Sequence, residues 1–500
     1  MTAAIVTAAF AWIVFPFVTG PVGFDSAASV IHFDRITGGR RLEAFVTATP
    51  KPLLTIVFGG LHALVPDWRV LSLATIAAGG LAVALLAQVV VRAMPARRRW
   101  PALLATPVLL AGSPLLLRDV ALAYAVPWAL IGFALAALGA TGPRPRGWLL
   151  GLGLLLATLA RLESVVVTGV LALVLVAHLA TRRPWRSDTG WDARSLVLAL
   201  VVASLALPVM LIHDWLLTGD PLFWAKVSAV YSAAATSVPT VGDVARVVLR
   251  EVTARPVASL LAGVGMVALA WRGSRALALG LLAMGPGLAL LLLALAARGT
   301  YVSGRYYAGI ELAILVAAAV GVGAIASVAA DRLAASGWRW AGPGRAAVTV
   351  ALLAGATLAA PFAPLDRATR SYVDSQRAFA QVADSTVPVV ADLLVGSGLA
   401  GGQPAPATAT VRVFAPFLLG PRLAVDLDLP LWTIGSVDPS VIDPAGDLLR
   451  PGTVVVHARK MDRPLDGYVA LEAGGEVMIG EHRLDTVATP APETWILLVP

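Results

Sequence analysis

From Met1 to about Pro361 the chain is a succession of apolar runs near twenty residues long, parted by short polar segments. A run of that length wound as helix spans about 30 Å, the thickness of a bilayer's hydrocarbon core, where only helices and closed barrels satisfy their backbone groups. Of 500 residues, 58% are hydrophobic and 14% charged. With a mean hydropathy of +0.81, this excludes an ordinary soluble domain. The fold class that follows is a polytopic α-helical membrane protein. The runs predict eleven transmembrane helices, at 2–19, 70–91, 101–117, 121–140, 147–160, 164–181, 196–213, 256–271, 276–297, 307–328 and 346–362. The segment 53–65 is too short and glycine-interrupted to cross, and reads as an interfacial or re-entrant helix. The first run lacks the basic start and small-residue cleavage site of a signal peptide, so it reads as a retained helix.

Charge placement sets an orientation. Residues 1–362 hold 28 Lys and Arg against 14 Asp and Glu, whereas 363–500 hold 10 against 16. The positive excess lies in alternate short loops: Arg92, Arg97, Arg98 and Arg99; Arg144 and Arg146; Arg182, Arg183, Arg186 and Arg194; Arg272 and Arg275; Arg332, Arg339 and Arg345. The acids there are only Asp188, Asp192 and Asp331. By the positive-inside rule these loops are cytoplasmic, as is the N-terminus, in a multi-pass protein of the plasma membrane. Scattered loop arginines are no phosphate-tracking patch, so nucleic acid is excluded as a partner despite the net charge of +8.

Two domains are expected: a transmembrane domain at 1–362, with a long first external loop at 20–69, and an extracytoplasmic C-terminal domain at 363–500. The second opens with a polar, helix-compatible stretch, Asp366 to Ala391. Short β-type runs follow at Thr410–Phe414, Thr453–His457 and Thr494–Val499, among Gly/Pro-rich turns. That pattern and length fit one small α+β domain.

With no cysteine, disulfides, thiolate chemistry and Cys-ligated metals are excluded. The six histidines show no paired metal-ligand spacing, and no P-loop, dinucleotide-binding glycine pattern or nucleophile-elbow serine occurs in a fitting context.

The chemistry-bearing residues gather on the external side. Asp25 follows the first run, placed to take a proton from an acceptor hydroxyl, or to orient it, beside the lipid head groups. Asp34, nine residues on, is near enough to share a site, and Asp25 with an external His or Asp could hold a divalent cation. Arg118-Asp119 joins two apolar runs almost without a loop, and Arg161 and Glu163 interrupt the stretch Trp148–Ala180. Charge at such depth faces a cavity, a partner or the interface. The turn-rich segment Thr218 to Lys226 offers Asp220 and a lysine that could meet a lipid phosphate. Arg305, ahead of the tenth run and beside Tyr306, can hold a phosphate bidentately. Each residue alone also fits a plainer part: a solvated loop acid, an ion pair at a helix turn, or a snorkelling cation.

Taken in order, these stretches resemble the GT-C superfamily of polyprenyl-phosphate-sugar-dependent glycosyltransferases, among them lipid A aminoarabinose transferases, protein O-mannosyltransferases and actinobacterial arabinofuranosyl- and mannosyltransferases. Asp25 stands where the family keeps a first-loop acid, and Pro50-Lys51-Pro52-Leu53 is similar to its Lys-Pro-Pro-Leu segment. Ser113-Pro114-Leu115 with Arg118, Leu159-Ala160-Arg161-Leu162-Glu163 and Gly304-Arg305-Tyr306 resemble later signatures. Gly219-Asp220-Pro221-Leu222 to Lys226 is similar to an external-loop pattern of arabinofuranosyltransferase-like members. The likeness covers about residues 10–330. It departs where Ser26 replaces the second acid of a common pair and where the Lys-Pro-Pro-Leu segment has lost a proline.

The resemblance implies a GT-C-like fold and transfer of a sugar, of arabinofuranose or mannose type, from a polyprenyl-phosphate donor to a cell-envelope glycan, lipid or protein. Asp25 and Asp34 would then be catalytic. Arg305, Lys226, Arg118 and Arg161 would bind the donor phosphate, and Lys51, Asp119, Glu163, Asp220 and Tyr306 would contact substrate. A divalent cation stays open as cofactor. Two other readings compete: a lipid or glycan transporter or flippase, which would place ionisable groups near the midplane and often repeat its halves, and a non-catalytic cell-wall assembly protein.

Overall fold

The computed structural model describes residues 2–17, 22–42, 51–95, 99–141, 145–181, 193–226, 239–272, 274–300, 302, 304–336, 341–359, 366–396, 413–415, 419–427, 434–436, 454–458, 469–471, 477–479, 482–491 and 494–498. Outside them lie Glu43 and Pro50, the loop residues Arg97, Arg98, Arg144, Arg182, Arg183, Arg186, Asp188, Asp192 and Arg339, and parts of the β-type runs expected at 410–414, 453–457 and 494–499.

The apolar runs are helices. α1 (Thr2–Val14), α4 (Trp68–Ala93), α5 (Arg99–Ala111), α6 (Pro114–Ala121) and α7 (Val126–Ala140) pack around one core. They share it with helices from the second half of the chain, of which the longest spans Ala308–Ala335 and is buried along most of its length. Between these come α8 (Gly147–Ala160), α9 (Val165–Thr181), α10 (Ala193–Ser204), α11 (Ala206–Thr218), α12 (Val241–Thr253), α13 (Pro256–Arg272), α14 (Arg275–Leu282) and α15 (Leu288–Ala297). The long helix is α16, and α17 (Ala341–Leu358) closes the bundle. Small residues let neighbours approach closely: a β-carbon on Gly132 of α7 would lie 2.6 Å from Gly153 O of α8, and one on Gly153 would lie 2.5 Å from Gly132 O.

Four helices, Trp68–Ala93, Ala193–Thr218, Arg275–Ala297 and Arg305–Ala335, are long and apolar enough to cross a bilayer, and two bent pairs raise the number to six. This is a multi-pass membrane protein. The expected runs at 121–140, 147–160, 164–181 and 346–362 form shorter apolar helices. The single helix expected at 101–117 is broken, α5 and α6 meeting at 61°. Pro114 cannot donate to the preceding turn, and the Ser113 hydroxyl accepts from Leu116 N at 3.0 Å, which starts a new helix. The second bent pair, α12 with α13 at 85°, includes a helix the sequence reading did not anticipate. α12 is amphipathic and starts at a capping box between Thr240 and Asp243.

The segment 20–69 also holds more structure than a loop. It contains α2 (Phe24–Thr37) and α3 (Pro52–Leu64), with Pro52 at the first helical position and Leu54, Thr55, Phe58 and Gly59 on a buried face.

The C-terminal region has its own apolar core. A long helix, α18 (Arg367–Gly396), packs through Ala383, Val387 and Val390 on β1 (Val413–Ala415), β3 (Val454–Ala458) and β7 (Thr494–Leu498). With β2 (Ile434–Ser436), β4 (Val469–Leu471), β5 (Val477–Ile479) and β6 (His482–Ala491) they form a sheet ordered β2-β1-β3-β7-β6-β5-β4. β1 is parallel to both of its neighbours, and the remaining pairs are antiparallel. α19 (Gly420–Asp426) docks this region on the first helices of the chain: Ala424 packs with Ala28 and Ile31 of α2. Trp68 Nε1 donates to Asp426 Oδ1 at 2.9 Å, with the Arg422 guanidinium 5.5 Å from the Trp68 ring.

Candidate active site

Five chain segments bring charge to one place. Asp25 is in the first turn of α2, and Lys51 immediately precedes α3. Arg118 and Asp119 are on α6, the short helix made by the break at Ser113. Arg161 and Glu163 stand where α8 stops and a single 3₁₀ turn leads to α9. Arg305 and Tyr306 form the turn before α16.

One Asp25 oxygen, Oδ2, receives both Lys51 Nζ at 3.2 Å and Arg305 Nη1. Asp25 and Lys51 keep only 12% and 14% of their side-chain surface exposed. Burial by itself would raise the Asp25 carboxyl, but the two cations outweigh it and hold its pKa at about 2. Burial pushes the Lys51 ammonium below its ordinary value, with Asp25 opposing.

Arg161 links the remaining groups. Its Nε donates to Glu163 Oε1, its Nη2 to the Arg305 carbonyl at 3.3 Å, and its Nη1 lies 3.6 Å from Asp119 Oδ2. Asp119 is fully buried, and Arg118 stands 3.8 Å from its other oxygen. At those separations the cations balance the charge of Asp119 without hydrogen-bonding it, and neither oxygen has a hydrogen-bond partner among the described residues. Lys51, Arg118, Arg161 and Arg305 against Asp25, Asp119 and Glu163 give the cluster a net charge of +1. Such a site is short of one anion.

Beside it opens a cleft in which Arg161, Glu163, Arg305 and Tyr306 meet apolar side chains. Leu130, Phe133, Val167, Met284 and Leu312 of that wall also line a second cleft, whose side chains are all apolar. A charged head site continuous with an apolar wall suits an amphiphile.

Of the residues singled out from sequence, Asp25, Lys51, Arg118, Asp119, Arg161, Glu163, Arg305 and Tyr306 converge. Three do not. Asp34 is nine residues from Asp25 on one helix, which puts it about 13 Å along the axis and on nearly the opposite face. There it pairs with Arg35 at 2.5 Å and Arg40 at 2.8 Å, so the two acids do not share a site. Lys226 is 68% exposed and bonded to Asp220, whose other oxygen accepts from Leu222 N at 3.0 Å. This pair builds its own turn. Among the described residues no group of three or more His, Asp or Glu is arranged to hold a metal ion.

Two features of the site escaped the sequence reading. Tyr124 lies under Arg305, 4.5 Å from ring centroid to guanidinium carbon. Its only signal was a polar-tipped aromatic in the short link after Arg118-Asp119. Behind the site, His213 Nε2 and Thr55 Oγ1 are 3.1 Å apart and tie α11 to α3, while the His32 ring packs edge-on at 5.6 Å from His213. Burial, with His213 and Lys51 nearby, pushes the His32 imidazole far below its ordinary pKa, so it is neutral.

The chain has an ArnT-like fold. It is similar to ArnT from Cupriavidus metallidurans bound to undecaprenyl phosphate, with a TM-score of 0.58 and 13% identity over 99% of this chain and 98% of that one. The apo form of ArnT gives 0.57 and 12% over the same shares. The apo Archaeoglobus fulgidus oligosaccharyltransferase gives 0.50 and 12%, over 92% of this chain and 70% of that one. No family model matches the sequence, and no curated protein matches it.

Proposed function

We propose that this protein transfers a sugar from a polyprenyl-phosphate donor to a hydroxyl of a cell-envelope glycan, lipid or protein, with arabinofuranose or mannose as the expected sugar type. The observation that carries the reading is the net-cationic cluster around Asp25, set against an apolar wall. ArnT, with which the chain shares its fold, has been solved with undecaprenyl phosphate, a ligand of the same amphiphilic form. In this reading residues 1–362 are the membrane domain and 363–500 an extracytoplasmic domain. The eleven runs all cross, the loop arginines face the cytoplasm, and the Asp25 cluster faces outward.

The chemistry follows from the charges. Paired with Lys51 and Arg305, Asp25 is a poor base, because the two cations hold it ionised. A donor phosphate would draw both cations to itself, and the carboxylate would recover basicity as it loses them. The acceptor oxygen then attacks the anomeric carbon while its proton passes to Asp25. The bond from that carbon to the phosphate oxygen breaks, and the electron pair leaves with the phosphate. Lys51, Arg305 and Arg161 stabilise the charge that develops there. Asp119, whose oxygens have no hydrogen-bond donor among the described residues, would accept from a sugar or acceptor hydroxyl.

A panel of radiolabelled polyprenyl-phosphate sugars incubated with purified protein and envelope acceptors tests the proposal. Label should move from one of the donors to acceptor with wild-type protein and not with Asp25→Asn. Label that stays on every donor sinks it. A transporter or flippase would instead move intact lipid across vesicles.

A further inference from the structure

Tyr124 has no part in the chemistry above, yet the backbone around it is built to hold it. The link from α6 to α7 passes through Ala123 at φ +55°, the one non-glycine residue with positive φ among those described. That conformation is strained for a residue with a β-carbon and persists where its surroundings over-determine it. Here three hydrogen bonds do so. Gly23 N donates to Leu122 O at 2.8 Å, the buried Ser26 hydroxyl donates to Ala123 O at 2.5 Å, and Tyr124 N donates to Asp119 O at 2.7 Å. Two of the three come from the start of α2, which carries Asp25, and the third from α6, which carries Asp119. Gly23 completes the seat, since a β-carbon there would lie 2.3 Å from Tyr124 Cε1.

The strained link thus delivers an aromatic face to Arg305, at a separation within cation–π range. The same guanidinium is bonded to Asp25. An arginine side chain loses much rotamer freedom when it is fixed, and stacking on a ring fixes its plane before any ligand arrives. We propose that Tyr124 is a positioning residue of the donor site: its ring is the platform that sets the plane of the Arg305 guanidinium toward Asp25 and an incoming phosphate. This rests on the reading of Arg305 as a phosphate contact.

The test uses full-length protein in detergent, with undecaprenyl phosphate as probe and thermal unfolding without ligand as a second readout. Tyr124→Ala should weaken probe binding about three- to tenfold, and Tyr124→Phe, which keeps the ring, should restore it. Gly23→Ala, which intrudes on the ring, should behave like Tyr124→Ala. In an Arg305→Ala background Tyr124→Ala should cost nothing further, and in ligand-free unfolding the paired variant should lose less Tm than the two single losses together. Equal losses from Tyr124→Ala in both backgrounds, or a Phe variant as weak as Ala, overturn the platform. If wild-type protein fails to bind the probe, the donor reading falls. The platform is then decided by unfolding alone, where additive Tm losses refute it and a shared loss supports it.

Discussion

The two ends of α2 carry the same side chain in opposite settings. Asp34, at the C-terminal end, is half exposed and pairs with arginines one and six residues away. Asp25, at the N-terminal end, is nearly buried and pairs with Lys51 and with Arg305, the latter 280 residues distant in sequence. Local pairing in water contributes little and holds a turn together. Long-range pairing out of water needs the whole bundle to assemble it, and stores an electrostatic field that a ligand can redirect.

The sharpest way to break the contrast is to remove each charge in turn. Asp25→Asn should lower turnover by about 10²–10⁴-fold, the range of general-base catalysis, with donor binding nearly kept. If Asp34→Asn abolishes turnover and Asp25→Asn does not, the two ends have been assigned the wrong way round. The cations rank next. Arg305→Ala or Lys51→Ala should each reduce kcat/KM for the donor about ten- to a hundredfold, as charge-assisted contacts worth ~1.5–3 kcal/mol would. Wild-type kinetics in both variants would reduce the cluster to a structural ion pair.

A pH experiment refines the comparison without any substrate. The folded-state pKa of Asp25 is depressed from 3.8 to about 2, so its stabilising contribution is present above about pH 4 and lost as pH falls toward 2. That shift corresponds to roughly 2 kcal/mol. Asp25→Asn should flatten the acid limb of a plot of Tm against pH; an unchanged limb would place the acid sensitivity elsewhere. The smallest effects belong to the exposed pairs. Lys226→Ala and Asp34→Asn should stay within about threefold of wild type, since surface ion pairs are worth ~0–1 kcal/mol. A tenfold loss from Lys226→Ala would return that lysine to the donor site.

Much of this was legible in the sequence because the bilayer demands it. Apolar runs announced the helices, and Arg161 with Glu163 marked where α8 stops. Arg118-Asp119, Arg161 and Arg305 stood out because charge beside hydrocarbon is costly. What sequence could not rank was distance in space. Asp34 looked near enough to share a site with Asp25 until the helix phase turned it away, and Lys226 looked free until Asp220 took it. α12 escaped because its apolar residues follow a helical stripe instead of a run. Tyr124 escaped because nothing local to it shows that Gly23 and Arg305 lie against its ring.

We propose that the cluster around Asp25 receives the phosphate of a polyprenyl donor. A structure of the protein with undecaprenyl phosphate tests it most directly. The phosphate is expected within hydrogen-bond reach of Lys51 and Arg305, with the lipid chain along the wall of Leu130, Phe133, Met284 and Leu312. A phosphate seated at Lys226 or elsewhere, with the Asp25–Arg305 pair undisturbed, would contradict it.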